Sequence, residues 1–322
     1  MSDTGLANDV SQVAKFVRTH YGIEECVINE SVMRGTQGQK LLIQLGKVKL
    51  FLRIVPYREM ADPRFALLLQ NMLATKYATA AKIVPNRHGK LWTKHRESIY
   101  ILEEYLRGKP KRLTKELLGI CGRELGRMHK MASQFVDEDT ERTGWTKYID
   151  RVLSLPIAEW DKIRCQKVAA FEASTSAARK VLECSMAQGK LPLGIHGDIN
   201  PTNMLWVGDK VAFCDFANAQ AGPQIVDLAM AIFGCCVLDW DLDTGLEEDL
   251  TDIKVNISCC RALLNGYTYV RPVTNEEKSL IRSTILFAVR IWMPWLKFNS
   301  LRARNKILSL VGKFATSIDS LL

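Results

Sequence analysis

Two carboxylates and an amide in the second half of the chain have the types and spacing for chemistry on phosphate. Asp198 and Asn203 stand at D-x-x-x-x-N spacing within His196-Gly197-Asp198-Ile199-Asn200-Pro201-Thr202-Asn203, and Asp215-Phe216 lies a short way downstream. One carboxylate to orient an attacking hydroxyl, with an amide and a second carboxylate to hold a divalent metal on phosphate oxygens, is what phosphoryl transfer requires.

The intervening residues suggest how the three could meet. Asn203 to Val207 and Val211 to Cys214 are short apolar runs on either side of Gly208-Asp209-Lys210, a tight-turn sequence, so a β-hairpin is expected. With Val207 facing Val211, Asn203 faces Asp215, and opposed residues of an antiparallel pair have Cβ atoms roughly 5 Å apart. That suits two oxygen ligands of one metal site. A surface hairpin with polar ends is the bland alternative, because Asp and Asn are common in turns. Spacing, hairpin and Asp-Phe together favour the metal site.

The stretch resembles the catalytic-loop motif of the aminoglycoside phosphotransferase and choline kinase family, which is related to eukaryotic protein kinases. The match is carried by His196-Gly197-Asp198, Asn203, Asp215-Phe216 and then Asp227-Leu228-Ala229. The resemblance implies an α+β, bilobal, protein-kinase-like fold. It places a small β-rich nucleotide-binding lobe over residues 1–104 and a larger, mainly helical catalytic and acceptor-binding lobe over 105–322. It implies Asp198 as the catalytic residue, Asn203 and Asp215 as magnesium ligands, ATP as phosphoryl donor, and His196 and Asp227 as supports of the catalytic loop. The implied activity is phosphorylation of a hydroxyl on a small molecule.

Other elements must position these groups. Val10, Val13, Ala14, Phe16 and Val17 recur at helical spacing and predict a helix over 8–20. Strands are expected over 25–33, 40–45 and 48–55. The last has an apolar face of Val48, Leu50, Leu52 and Ile54, with Lys49, Phe51, Arg53 and Val55 on the other side. Gly35-Thr36-Gln37-Gly38 between the first two strands could present backbone N–H groups to phosphates, or be a plain turn. By the resemblance Arg53 holds the ATP phosphates, with Lys49 as fallback, and Glu103, Glu104, Tyr105 and Leu106 form the hinge, where backbone rather than side chains meets adenine. The helix expected from Pro63 to Thr79 lacks the acid that the family places opposite the cation; Gln70 offers a neutral hydrogen bond instead. Thr114 is expected to cap the next helix, which ends near a packed His129. Thr274 with Glu277 fits a capping box.

Composition agrees with an enzyme of this size. A chain of 322 residues, 47% hydrophobic and 25% charged, suits a globular protein of two lobes. Nine cysteines include no C-x-x-C, and the pairs Cys235-Cys236 and Cys259-Cys260 do not have zinc spacing. Reduced thiols and no leader pattern at Met1-Ser-Asp-Thr-Gly point to the cytoplasm. No apolar run is long enough for a membrane span. The net charge of +9 raises nucleic acid as a partner, but no nucleic-acid motif accompanies it, and a basic surface that attracts ATP accounts for it. Nothing in the sequence specifies an oligomer.

The acceptor is the less determined half. Asp239, Asp241, Asp243, Glu247, Glu248, Asp249 and Asp252 could attract an amine or simply be solvated. Arg290 and Trp292 are candidates for the acceptor pocket, Arg290 suiting a substrate carboxylate. The acceptor that the resemblance implies is a homoserine- or choline-like alcohol, or an aminoglycoside. A protein serine/threonine kinase and a non-catalytic nucleotide-binding protein are the alternatives.

Overall fold

A computed structural model describes residues 10–35, 38–135, 143–155, 166–238, 240–241, 245–246, 255–295 and 309. The chain divides into two compact units, one of residues 1–108 with 212–219 and the other of residues 109–211 with 220–322.

The first unit is built on an antiparallel sheet. Strands β1 (Val27–Gly35), β2 (Gly38–Leu45), β3 (Val48–Pro56), β4 (Ile83–Val84), β5 (Thr93–His95) and β6 (Ser98–Glu104) form it in the order β1-β2-β3-β6-β4, with β5 also on β6. The apolar face read from β3 is real: Leu50, Leu52 and Ile54 are buried with Val13, Phe16 and Val17 of helix α1 (Val10–Tyr21). Period two on the strand meets period 3.6 on the helix, so each buries one stripe. Val48, at the strand's start, stays exposed.

Helix α2 (Pro63–Tyr77) opens with Pro63 at its first turn and Asp62 as cap, the Asp62 carboxylate accepting from the Phe65 N–H at 3.0 Å. Ala66, Gln70 and Leu73 share its buried face. The unit also takes in the segment around Asp215. The Phe213 N–H donates to the Thr79 carbonyl at 2.8 Å, and the Ala61 N–H to that of Ala217 at 3.1 Å.

The second unit is mainly helical: α3 (Lys115–Ala132), α4 (Thr143–Ser154), α5 (Gln166–Ala187), α6 (Gln224–Cys236), α7 (Ile257–Val270) and α8 (Asn275–Trp292). Short strands β7 (Leu193–Ile195) and β10 (Gln220–Pro223) pair antiparallel on either side of the catalytic-loop sequence. The expected caps form: Thr114 Oγ1 accepts from the Leu117 N–H, and Thr274 with Glu277 makes a complete capping box. Helices α3 and α7 approach backbone to backbone. A Cβ on Gly122 would meet the Leu263 carbonyl oxygen at 2.1 Å, and one on Gly266 the Gly119 oxygen at 2.1 Å.

The hairpin forms with a tighter turn than the sequence suggested. Strands β8 (Met204–Val207) and β9 (Lys210–Phe213) are joined by two residues, Gly208-Asp209, with Gly208 at φ 65 where a Cβ would be strained. Lys210 belongs to the strand, not the turn. The count back from the turn therefore shifts by one residue and no longer sets Asn203 opposite Asp215. Both residues stand outside the strands. Asn203 ends the 3-10 turn Pro201–Asn203, and Asp215 sits at φ 65, ψ 64 before another, Phe216–Asn218.

Candidate active site

The loop after β7 is tied down from beneath. Asp227, on the first turn of α6 and fully buried, accepts from the His196 N–H at 2.6 Å through Oδ2 and from the Gly197 N–H at 2.8 Å through Oδ1. Its Oδ2 also lies 3.2 Å from His129 Nε2, and His129 Nδ1 lies 2.7 Å from the Tyr267 hydroxyl. Burial holds the His129 imidazole below its usual range, against the pull of Asp227. A neutral ring donating from Nε2 to Asp227 and accepting the Tyr267 proton at Nδ1 satisfies all three groups. His129 is thus a packed support, carried on α3 against α7. His196 is also fully buried.

Above this base, the half-buried Asp198 carboxylate is held by two amides. Asn200 Nδ2 donates to its Oδ1 at 2.9 Å and Asn203 Nδ2 to its Oδ2 at 2.9 Å. Asn203 Nδ2 also reaches the Asp198 carbonyl at 3.0 Å. Asn200 in turn caps the 3-10 turn, its Oδ1 accepting from the Thr202 and Asn203 N–H groups. Asn200 had not stood out in the sequence, where it was one of the unspecified positions between Asp198 and Asn203. Tyr148 donates its hydroxyl to the Gly197 carbonyl at 3.0 Å, and burial, with the nearby Asp198 charge second, pushes its phenol pKa up.

In the first unit, Arg53 and Lys40 converge on Asp215. Arg53 Nη1 lies 3.4 Å from its Oδ1, and Lys40 Nζ 3.9 Å from its Oδ2. Lys40 on β2 faces Arg53 on β3 directly. The sequence reading missed Lys40 and held Lys49 in reserve. Lys49 is on the same face of β3 but exposed, with its ammonium over the Tyr105 ring. Only the strand register could have singled out Lys40.

Arg53 itself is 2% exposed. Its Nη2 donates to Gln70 Oε1 at 3.3 Å and lies 4.0 Å from Glu103 Oε2. Among the described residues its Nε has no hydrogen-bond partner. The Glu103 carboxylate, on the strand that leads into the hinge, is buried in this network. The hinge N–H groups of Glu104 and Tyr105 donate to the Lys82 and Lys49 carbonyls. Glu104 is exposed, and Tyr105 and Leu106 are half-buried.

The remaining expectations separate. Gly35 and Gly38 pair at the end of the β1–β2 hairpin, while Thr36 and Gln37 lie outside the described residues. Asp241 is in a two-residue strand paired with Gly245-Leu246, and Asp239 is outside the described residues, as are Asp243, Glu247, Glu248, Asp249 and Asp252. Arg290 is turned into helix packing: its Nε meets Glu172 Oε1 at 2.9 Å and its Nη2 the Leu153 carbonyl at 3.0 Å. This ion pair, buried at Arg290 and partly exposed at Glu172, gives the guanidinium a partner on α5 where a substrate carboxylate was expected. Trp292 is buried on α8.

Comparison with known proteins decides the family. Residues 33–254 match the model of the phosphotransferase enzyme family. The chain belongs to that family. It is similar to a homoserine kinase of Neisseria meningitidis serogroup B, 24% identical over 265 residues that cover 80% of this chain and 79% of the relative. Among solved structures, a microcompartment-associated aminopropanol kinase superposes with TM-score 0.64 at 16% identity, covering 98% of this chain and 99% of that one. A choline kinase from Cryptosporidium parvum superposes with TM-score 0.60 at 14% identity, covering 98% of each. The fold is therefore kinase-like α+β, and the enzyme is a small-molecule phosphotransferase.

The chemistry of the donor set suits a nucleotide with a hard cation. In the first unit Asp215 offers oxygen, and Arg53 and Lys40 offer positive charge for phosphate; in the second unit Asn203 offers its amide oxygen. Among the described residues no group of three or more His, Cys, Asp or Glu could hold a metal alone. Magnesium on a nucleotide needs only one or two protein oxygens, because phosphate and water supply the rest. No helix among the described residues is long and apolar enough to cross a membrane.

Proposed function

We propose that this enzyme phosphorylates the hydroxyl of a small amino-acid alcohol or amino alcohol, using magnesium and ATP. The observation that carries the reading is the Asp198 carboxylate, held at both oxygens by amides on a loop clipped to buried Asp227. Asp198 is the catalytic residue: it orients the acceptor hydroxyl and takes its proton. Asn200 and Asn203 fix its carboxylate plane, so little reorganisation accompanies attack. An amide that spends its N–H groups on Asp198 keeps its carbonyl oxygen for a cation, so Asn203 and Asp215 are assigned as magnesium ligands.

Arg53 and Lys40 are assigned to the phosphates, as are the backbone groups of the Gly35-Thr36-Gln37-Gly38 sequence, and the hinge backbone from Glu103 to Leu106 is assigned to the adenine. When bound, ATP supplies the phosphoryl group and magnesium offsets its charge. Residues 1–104 are assigned mainly to nucleotide and 105–322 mainly to catalysis and acceptor. Thiols that are all free among the described cysteines agree with work in the cytoplasm. An amino-acid alcohol is favoured because the homoserine kinase relative aligns over four-fifths of the chain.

The test is ADP release with magnesium–ATP and a panel of homoserine, choline, aminopropanol, ethanolamine and aminoglycosides. The expected outcome is highest kcat/KM with homoserine or another amino alcohol. Turnover of a protein substrate in preference to every small molecule would overturn the reading.

A further inference from the structure

Arg53, Gln70 and Glu103 form a buried chain of hydrogen bonds and charge on three separate elements. The strand register explains why they meet. Arg53 on β3 faces Ile101 on β6, so Glu103, two residues further along β6, projects from the same side of the sheet. Gln70 arrives from the buried face of α2. Arg53 and Gln70 are each 2% exposed, and Glu103 is 8% exposed. A guanidinium so buried requires a compensating negative charge.

Among the described residues two carboxylates approach Arg53: Asp215 at 3.4 Å and Glu103 at 4.0 Å. If Asp215 is to hold a cation, Glu103 is the counter-charge that remains. At 4.0 Å it is too far for a hydrogen bond, and Gln70 fills the gap. Gln70 Oε1 accepts from Arg53 Nη2 at 3.3 Å, while its Nε2 donates to Glu103 Oε2 at 2.8 Å and to the Ala81 carbonyl at 3.0 Å. These contacts ask for one acceptor and two donors from a single side chain, which a primary amide supplies and a carboxylate does not.

We propose that Gln70 is a positioning residue for nucleotide binding: its amide relays the Glu103 carboxylate from the sheet to Arg53, replacing the acid that α2 lacks. The relay holds the guanidinium away from full pairing with Asp215. That keeps Arg53 available to phosphate and Asp215 available to metal. This rests on the assignment of Arg53 to nucleotide phosphates made above.

The test uses the full chain and ADP with magnesium, with affinity read by calorimetry and folding by a thermal melt. Gln70→Met, which keeps bulk and loses the amide, is expected to weaken ADP about tenfold and leave the acceptor KM unchanged. Adding Glu103→Gln to Gln70→Met is expected to cost little more, because the relay is already broken.

Gln70→Glu carries the proposal alone if Gln70→Met does not fold. It would set two carboxyls side by side. The protonated form alone can accept from Arg53 and donate to Glu103 as the amide does. The ratio of Gln70→Glu to wild-type ADP Kd should therefore rise with pH. Wild-type ADP affinity in a folded Gln70→Met protein, or a pH-independent ratio for Gln70→Glu, would overturn the relay. A wild-type protein that binds no ADP would instead overturn the nucleotide assignment on which it stands.

Discussion

Asp227 is fully buried and accepts from the His196 and Gly197 N–H groups while bonding His129. Asp227→Asn replaces one acceptor oxygen by a donor, so at least one of these N–H groups faces another N–H. A buried donor left unmatched costs about 1–3 kcal/mol. A urea melt should show that loss, with kcat reduced as the Asp198 loop loosens, and an unchanged midpoint would remove Asp227 from its supporting role. The same residue shows what a sequence can disclose. Asp198, Asn203 and Asp215 stood out because the chemistry proposed for them asks for these residue types at set spacings, and Asp227 because it opens a D-L-A like that of the family. Lys40 did not, and Glu103 stood out only for its hinge backbone, because what these side chains meet depends on which residues face each other across three strands. Gln70 was legible only as a neutral group near a cation; its partner Glu103 lies on another element.

Helices α3 and α7 bring His129 and Tyr267 to Asp227, and two glycines set their separation. At Gly122 an added Cβ would lie 2.1 Å from the Leu263 carbonyl oxygen and 2.8 Å from the Tyr267 backbone nitrogen. In an open helix Gly→Ala gains about 1 kcal/mol in propensity. Here both obstacles are backbone, and overpacking of that kind costs about 1–3 kcal/mol or more. The clash should win: Gly122→Ala is expected to lower stability in a chemical melt. Gly119→Ala, whose Cβ would meet the Ala262 oxygen at an ordinary 3.7 Å, should be neutral or stabilising. Equal behaviour of the two variants would show that the close approach is not what orders this pair. The elements themselves were readable from periodicity and caps, as α1, α2 and α8 show. The hairpin turn was misjudged by one residue because Lys210 is as plausible in a turn as at a strand end. One residue is enough to change which side chains oppose each other.

Family membership over residues 33–254, and a fold shared along 98% of the chain with an aminopropanol kinase and a choline kinase, agree with the kinase-like fold expected from a few residues of the catalytic loop. The acceptor half was less legible. Arg290 had a plausible place in a helix, but helical position does not reveal a partner on another helix, and Glu172 had taken the charge. For the molecule as a whole, the proposed role of Asp198 is to act on the acceptor hydroxyl and not on nucleotide binding. The most direct test compares wild type and Asp198→Ala for ADP release with the best acceptor and for equilibrium binding of magnesium–ATP. Turnover should fall by about 10² to 10⁴-fold while magnesium–ATP affinity is unchanged. Near-full turnover by Asp198→Ala would contradict the account.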